Sequence, residues 1–272
     1  MPAFRAAIVA IIIGLAAFTG AGAQNLPVHV DPGARDDMLD AIAIPALRFL
    51  TTADFPPFNY SDAGGRLVGF NIDVADAICA RLGARCTIQA WPWDRVQDAL
   101  AENQGDALIA GLDMAGEAGS RFDFSRIYLQ LPAKFVVSRA NLPSFNPQNL
   151  AGTLAVREGS AHAQLAERML PRTTIAGYDS EFAALDAVAS GEADVYFGDG
   201  ARAAFWLNDH PQCCDFVGES YFRPDLFGEG FAVAVPKGLD NVRVAINWAL
   251  TRLQREGQLD EIYLRWFPLG FY

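Results

Sequence analysis

The sequence predicts an α/β protein built as two similar lobes facing one cleft, and three observations lead to that class. Short apolar runs alternate with segments of helical period, as in Leu47–Thr51, a helix from Ile72, and the strand Thr87–Ala90. The helix 94–103 and the strand Ala107–Ala110 continue the alternation, which is the doubly wound pattern. The second half of the chain repeats it from Ala155 onward. Finally, Asp98-Ala-Leu-Ala precedes Asp106 by eight positions, and Asp186-Ala-Val-Ala precedes Asp194 by the same eight. Each pair reads as a helix feeding a strand whose end presents an acid, Asp113 or Asp199.

Composition is consistent with that class. The 272 residues are 51% hydrophobic and 19% charged, enough apolar material for one large or two medium domains. Arg5 is followed by an uninterrupted apolar run, Ala6–Phe18, and by the small residues Ala21-Gly22-Ala23. This is the pattern of a secretory signal peptide over 1–23, too short to span a bilayer comfortably, and it predicts a periplasmic product starting at Gln24. Without Arg5 the 21 basic residues become 20 against 32 acidic ones, a balance of −12 that disfavours nucleic acid and anionic membrane surfaces. Residues 24–44, with Pro27, Pro32 and Gly33, read as an N-terminal extension.

The elements follow in order. Leu47–Thr51 is a strand that ends at Pro56-Pro57, and Asp62–Gly65 is a hairpin-type turn. Asn71 is expected to cap a helix with Ile72, Ala75, Cys79 and Leu82 on one face, and Gly83 to stop it. Cys86 lies just beyond, so a Cys79–Cys86 bridge would close a short loop and add about 2–3 kcal/mol. Cys213 and Cys214 read as loop thiols; with His210 they are too few for a metal site. The buried strand Ala107–Ala110 breaks at Gly111 into a Gly-rich loop, the place beyond a strand's carboxyl end where α/β sheets bind ligands. Further on come a strand at Ala155-Val156, a turn at 159–162, a helix Ala163–Leu170 and a strand Thr173–Ala176. Ser180 caps a helix ending at Gly191; the strand Val195–Gly198 follows, with Asp199-Gly200 opening the next helix. The strand Phe231–Val235, a helix from Asp240 with Val242, Ala245, Ile246, Ala249, Leu250 and Leu253 on its stripe, and a helix Leu259–Trp266 complete the chain.

Certain landmarks recur in a specific order: Pro57-Phe58, Gly65–Val74, Trp93-Asp94, Gly105-Asp106-Ala107 and Phe124-Ser125, then Gly159-Ser160, Gly198-Asp199, Gly257, Ile262-Tyr263 and Trp266-Phe267. Over Leu47 to Phe267 the sequence resembles the bacterial periplasmic solute-binding proteins of polar amino-acid ABC importers, family 3. The resemblance implies a type II periplasmic-binding-protein fold with two crossover strands, near Leu131–Lys134 and Gly228–Phe231. Lobe 1 would then be 45–132 plus 230–272, and lobe 2 133–229. It further implies a monomer that closes by hinge motion over one small ligand and delivers it to an inner-membrane ABC permease, with no cofactor.

Carried over residue by residue, the resemblance puts Phe55 and Trp93 on either side of the ligand's side chain and Asp199 on its α-ammonium. Ser160 is a further candidate contact, and His162 follows it in the same turn. The arginine that holds the ligand's α-carboxylate falls at Ala118, its neighbouring threonine at Ala115 and its serine at Asp113. The carboxylate clamp is therefore missing and an acid stands in its place, which favours an amine, polyamine or quaternary ammonium ligand through charge pairing and cation–π attraction. Arg157 occupies a position that is usually apolar and ligand-facing, and could act as a relocated carboxylate partner or neutralise Asp113; Arg121 could also reach in. HExxH, GxSxG and P-loop patterns are missing, which favours a binding protein over an enzyme. Two alternatives use the same fold: a periplasmic interaction protein, for example one associated with a dehydrogenase, that has lost amino-acid binding, and a cyclohexadienyl-dehydratase-like enzyme.

Overall fold

The computed structural model describes residues 44–272 except Ala115 and Ala151. The expected signal segment, the extension up to residue 43 and the threonine position at Ala115 lie outside the described residues. The chain begins with β1 (Ala46–Thr51), the small hairpin strands β2 (Asp54–Phe55), β3 (Asn59–Ser61) and β4 (Leu67–Val68), and then α1 (Phe70–Leu82). After it come β5 (Arg85–Ala90), α2 (Trp93–Ala101), β6 (Ala107–Leu108), α3 (Gly116–Arg121) and β7 (Phe122–Phe124). Strand β1 is buried on both faces because β5 and β6 flank it in parallel: Phe49 points to one apolar cluster and Leu50 to another.

Asn71 does not cap α1. The N-cap is Gly69, and the Asn71 side chain is buried in the first turn. There its Nδ2 donates to Asn59 Oδ1 (2.8 Å), its Oδ1 accepts from the Tyr128 hydroxyl (2.8 Å), and Asn59 Nδ2 donates to Thr52 Oγ1 (2.8 Å). These buried amides are satisfied by one another, and the chain of bonds fixes the loop after β1 onto the helix. Gly69 is at φ 139°, and a Cβ on it would lie 2.1 Å from the Phe58 carbonyl oxygen, so only glycine allows this close approach.

The second half contains β8 (Ala133–Ser138), β9 (Thr153–Arg157), α4 (Ala161–Met169), β10 (Thr174–Tyr178) and α5 (Glu181–Ser190), with a 3-10 turn over Arg139–Ser144. It continues with β11 (Val195–Asp199), α6 (Gly200–Asp209), β12 (Cys214–Tyr221) and the single turn α7 (Pro224–Phe227). The tail is β13 (Ala234–Pro236), α8 (Asp240–Arg255) and α9 (Gln258–Trp266). The stripe expected on α8 is its buried set, Val242, Ala245, Ile246, Ala249, Leu250 and Leu253. Helix α4 starts two residues earlier than expected because Ser160 supplies a cap.

Two five-stranded sheets result, in the orders β5-β1-β6-β13-β7 and β10-β9-β11-β8-β12. In the first, β13 returns antiparallel between β6 and β7; in the second, β8 is antiparallel to both β11 and β12. An isolated antiparallel bridge, Leu129 to Phe231, joins the two segments that pass between the sheets. The ends of β1 and β6 in one sheet, and of β9 and β11 in the other, carry the loops discussed below. Among the described residues no helix is long and apolar enough to cross a membrane.

Cys79 and Cys86 are joined, their Cα atoms 6.0 Å apart, and tie the end of α1 to β5. Cys213 and Cys214, expected as loop thiols, are instead joined to each other, which corrects that expectation. The turn that opens β12 brings both side chains to one side, and no described cysteine is free.

Gly69→Ala should therefore lower stability by about 2–5 kcal/mol, the combined cost of backbone strain and overpacking. Gly65→Ala, at φ 77° with open space around the added Cβ, should cost only about 1 kcal/mol. Urea midpoints of the two variants check this, and equal losses would mean that the contact with Phe58 does not constrain the turn.

Candidate functional site

On the first sheet the site is floored by aromatic rings. Phe55 lies 5.0 Å from Phe58 and 6.2 Å from Phe231, and Phe58 and Phe231 meet edge to face at 4.8 Å. Gly111, just after β6 and at φ 73°, passes directly over them: a Cβ there would lie 2.9 Å from Phe231 Cζ and 3.1 Å from Phe55 Cε1. Thr51 Oγ1 donates to the Ile109 carbonyl (2.6 Å), holding the loops after β1 and β6 together. Trp93 is the first residue of α2 and is 47% exposed. Asp113 is exposed, with Oδ1 3.5 Å from where a Cβ on Gly228 would stand, so its carboxylate faces the loop that returns from the second sheet.

The arginine position of the expected clamp is a core alanine. Ala118 is buried among Val96, Leu100, Leu112 and Phe122, so its side chain belongs to the packing under α3. Arg121 does not reach in either: it pairs with Asp98 (2.7 Å) and Glu117 (3.7 Å) and lies over the Phe122 ring. The loop after β6 thus sets a carboxylate beside the Gly228 segment, while Arg121 at the end of α3 is engaged elsewhere.

On the second sheet two caps define the wall. Ser160 is buried, accepts from Ala163 N (3.0 Å) and donates to the Arg157 carbonyl (2.7 Å), so its hydroxyl is committed to starting α4. Asp199 caps α6 through Oδ1 alone, which accepts from Ala201 N (2.8 Å) and Arg202 N (3.0 Å) and leaves Oδ2 outside the cap.

The residue that sequence reading missed is Glu181. It is buried at 2% exposure, accepts a 2.5 Å hydrogen bond from the Tyr196 hydroxyl, and pairs with Arg157 Nε at 3.5 Å. Arg157 is therefore turned to Glu181. His162 Nδ1 stands 4.0 Å from the same carboxylate, with its ring stacked on Phe227 at 4.3 Å. Gly198 makes room for the pair, since a Cβ there would be 2.3 Å from the Tyr196 oxygen and 2.6 Å from Glu181 Oε2. Arg202, also unforeseen, holds its guanidinium carbon 5.3 Å from the Phe55 centroid and 5.4 Å from that of Phe182, so the ring expected to take a ligand already carries a cation. No sequence signal marks Glu181, because an acid in the first turn of a helix is ordinary. Among the described residues no three His, Cys, Asp or Glu side chains group as a metal site.

Burial, and then the charge of Asp199, pushes the Glu181 carboxyl above the ordinary range, against the opposing Tyr196 bond, Arg157 and Arg202. Burial pushes the His162 imidazole down, with Asp199 acting the other way. The folded state thus keeps a proton on Glu181 that the unfolded chain releases. The resulting stabilisation is present below the ordinary value of 4.5 and is lost as pH rises through the folded value. Glu181→Gln removes this slope. Wild type should lose stability relative to the variant as the pH is raised above about 4.5, measured as urea midpoints. A difference that does not change with pH would show that Glu181 is not held protonated by its surroundings.

A family model described as bacterial extracellular solute-binding proteins, family 3, matches residues 47–269. The chain is 28% identical to the ABC transporter arginine-binding protein 1 of Escherichia coli K12, over 84% of this chain and 93% of that one. Among solved structures, an ancestral cationic amino acid solute-binding protein shares 26% identity with a TM-score of 0.72, covering 82% of this chain and 96% of that one. A Salmonella typhimurium periplasmic binding protein described as having high arginine specificity shares 28% identity with a TM-score of 0.56, covering 82% and 99%. The relatives are binding components of importers, and with the two-sheet architecture and the match over most of its length, this chain belongs to the bacterial extracellular solute-binding proteins, family 3.

Proposed function

We propose that this protein captures one cationic, amine-bearing solute between its two lobes, closes over it by hinge motion, and delivers it as a monomer to an inner-membrane ABC permease. The observation that carries this reading is the loop after β6. It sets the Asp113 carboxylate beside the returning Gly228 segment, is followed by α3, which buries Ala118 in the core, and leaves Arg121 tied to Asp98 and Glu117. A cation is favoured in such a site by Coulomb attraction, and an anion facing that wall is repelled. Asp199, with Oδ2 outside the helix cap, is the partner for the ligand's ammonium, and Trp93, exposed at the start of α2, offers an aromatic face. The arginine and cationic amino acids named for the relatives define the leading ligand class. Export through the segment 1–23 accords with the periplasmic relatives.

One observation favours the dehydratase alternative, because Glu181 is a buried carboxyl whose pKa is raised by burial and by Asp199, the direction a general acid requires. Incubation of the purified protein with prephenate or arogenate should yield no phenylpyruvate or phenylalanine; turnover would replace the transport reading by that one.

The binding reading is tested by thermal shift with arginine, lysine, ornithine, histidine, polyamines and quaternary amines. A ligand at about 100 times its Kd stabilises by about 2.7 kcal/mol, a clear shift. Asp199→Asn should weaken the ligand found in that screen about ten- to hundredfold through loss of the ammonium's charge partner. Because asparagine caps helices as well as aspartate does, the unliganded stability should stay within about 0.5 kcal/mol. Unchanged affinity in the variant would remove Asp199 from the site.

A further inference from the structure

The basic groups of this cleft are on the second sheet's side. Arg157, His162 and Arg202 gather around Glu181, and Arg202 lies between Phe55 from the first sheet's side and Phe182 from the second. Arg202 Nε and His162 Nδ1 are buried and have no hydrogen-bond partner among the described residues. A guanidinium has five donors in a rigid fork suited to a carboxylate, and a buried donor left without an acceptor calls for one. Arg157 is the complement: its side chain is 45% exposed, and its 3.5 Å pairing with Glu181 is longer than a good charged hydrogen bond.

We propose that Arg202, together with Arg157, forms the carboxylate subsite of this cleft, supplying from the second lobe the cationic clamp that the loop after β6 lacks. The proposal rests on the reading that an amine-bearing solute occupies the cleft, and it narrows that solute to a zwitterionic amino acid with a free carboxylate. The ammonium pairs with Asp199, three residues before Arg202 at the start of α6. The carboxylate accepts from the Arg202 fork and from Arg157, and a cationic side chain extends toward Asp113 and Trp93 on the other wall. The charges agree with this. Asp199 and Arg202 stand together at the start of α6 with Arg157 nearby, so this wall offers both signs, which suits a ligand carrying both better than a polyamine. Glu181 neutralises Arg157 only in part, because its burial favours the protonated form. The Phe55 face is occupied by Arg202, so the ligand's cationic end is directed away from it.

The test uses isothermal titration of the protein with L-arginine and with agmatine, which is arginine without its carboxylate, and with the pair L-lysine and cadaverine. Wild type should bind each amino acid at least about tenfold more tightly than its decarboxylated partner. Arg202→Met should reduce that preference about ten- to hundredfold, Arg157→Met should reduce it to a smaller extent, and Arg202→Lys should restore part of it. A thermal melt of each variant establishes that it is folded, and the Arg157 variant tests the subsite if the Arg202 change unfolds the protein. Equal binding of arginine and agmatine by wild type, or a preference unaffected in folded Arg202 and Arg157 variants, would overturn the subsite and leave the amine-binding reading in place. Failure of all four compounds to bind folded wild type would overturn the ligand class, and the subsite with it.

Discussion

The cleft depends on the aromatic junction around Phe231. Its backbone pairs with Leu129 where the chain's two passages between the sheets run side by side, and its ring meets Phe58, Phe55 and Tyr128 at 4.8, 6.2 and 6.4 Å. One residue therefore serves both the connection of the sheets and the floor of the site. Tilted and edge-to-face aromatic contacts are directional, so the floor is held at a defined angle to the connection. Gly111 follows from the same constraint, since any side chain there would meet two of these rings. The return of β13 between β6 and β7 completes the arrangement, because it fixes the end of the passage that carries Phe231 into the first sheet.

Against this shared frame the charges are divided unequally. The first sheet's loop after β6 contributes an acid and buries the position where a clamp arginine would stand. The second sheet's side contributes Arg157 from the end of β9, His162 from α4 and Arg202 from α6 around a buried acid. Burying Glu181 costs solvation free energy, and the Tyr196 bond together with the two guanidinium groups offsets it only partly, which is why the carboxyl is pushed above its ordinary range. Such a cluster is a poor way to stabilise a fold, and its position beside the cleft is where a perturbed group is expected to serve a ligand. The fold is that of the family, and in such a fold recognition is set by a few side chains carried on it rather than by the fold itself.

Most of the fold was legible in the sequence because its signals are local. The stripe on α8, the caps at Ser180 and Asp199, and the stop at Gly83 depend on neighbours within a turn or two, and each element formed accordingly. Strands β8 and β12 were not legible. β12 carries Gly218 and polar residues and shifts register between Val217 and Tyr221, so its strand character comes from pairing with β8 rather than from any alternation of its own. Asn71 was read as a cap because asparagine before an apolar face usually is one; its actual role requires Asn59 and Tyr128, 12 and 57 residues away. The site was legible only in part for the same reason. Asp199, Phe55 and Trp93 are candidates from motif positions alone, whereas the inward turn of Glu181 depends on the space that Gly198 leaves beside Tyr196, and the reach of Arg202 to Phe55 depends on how the sheets face each other.

That last contact links recognition to motion. Arg202 stands between a ring on each side of the cleft, and Tyr60 meets Phe205 across the same boundary at 6.3 Å. A guanidinium held between two rings is displaced by any change in their separation, so the approach of the lobes also sets where the Arg202 fork points. A ligand that pairs with this fork interacts differently with each separation of the lobes, and only such a difference allows binding to shift the balance between open and closed forms. A plain amine makes no contact with this fork and lacks that source of bias. Coupling of capture to closure therefore favours a solute that engages groups on both sheets at once, with Asp113 and Trp93 on one side and Asp199 and Arg202 on the other.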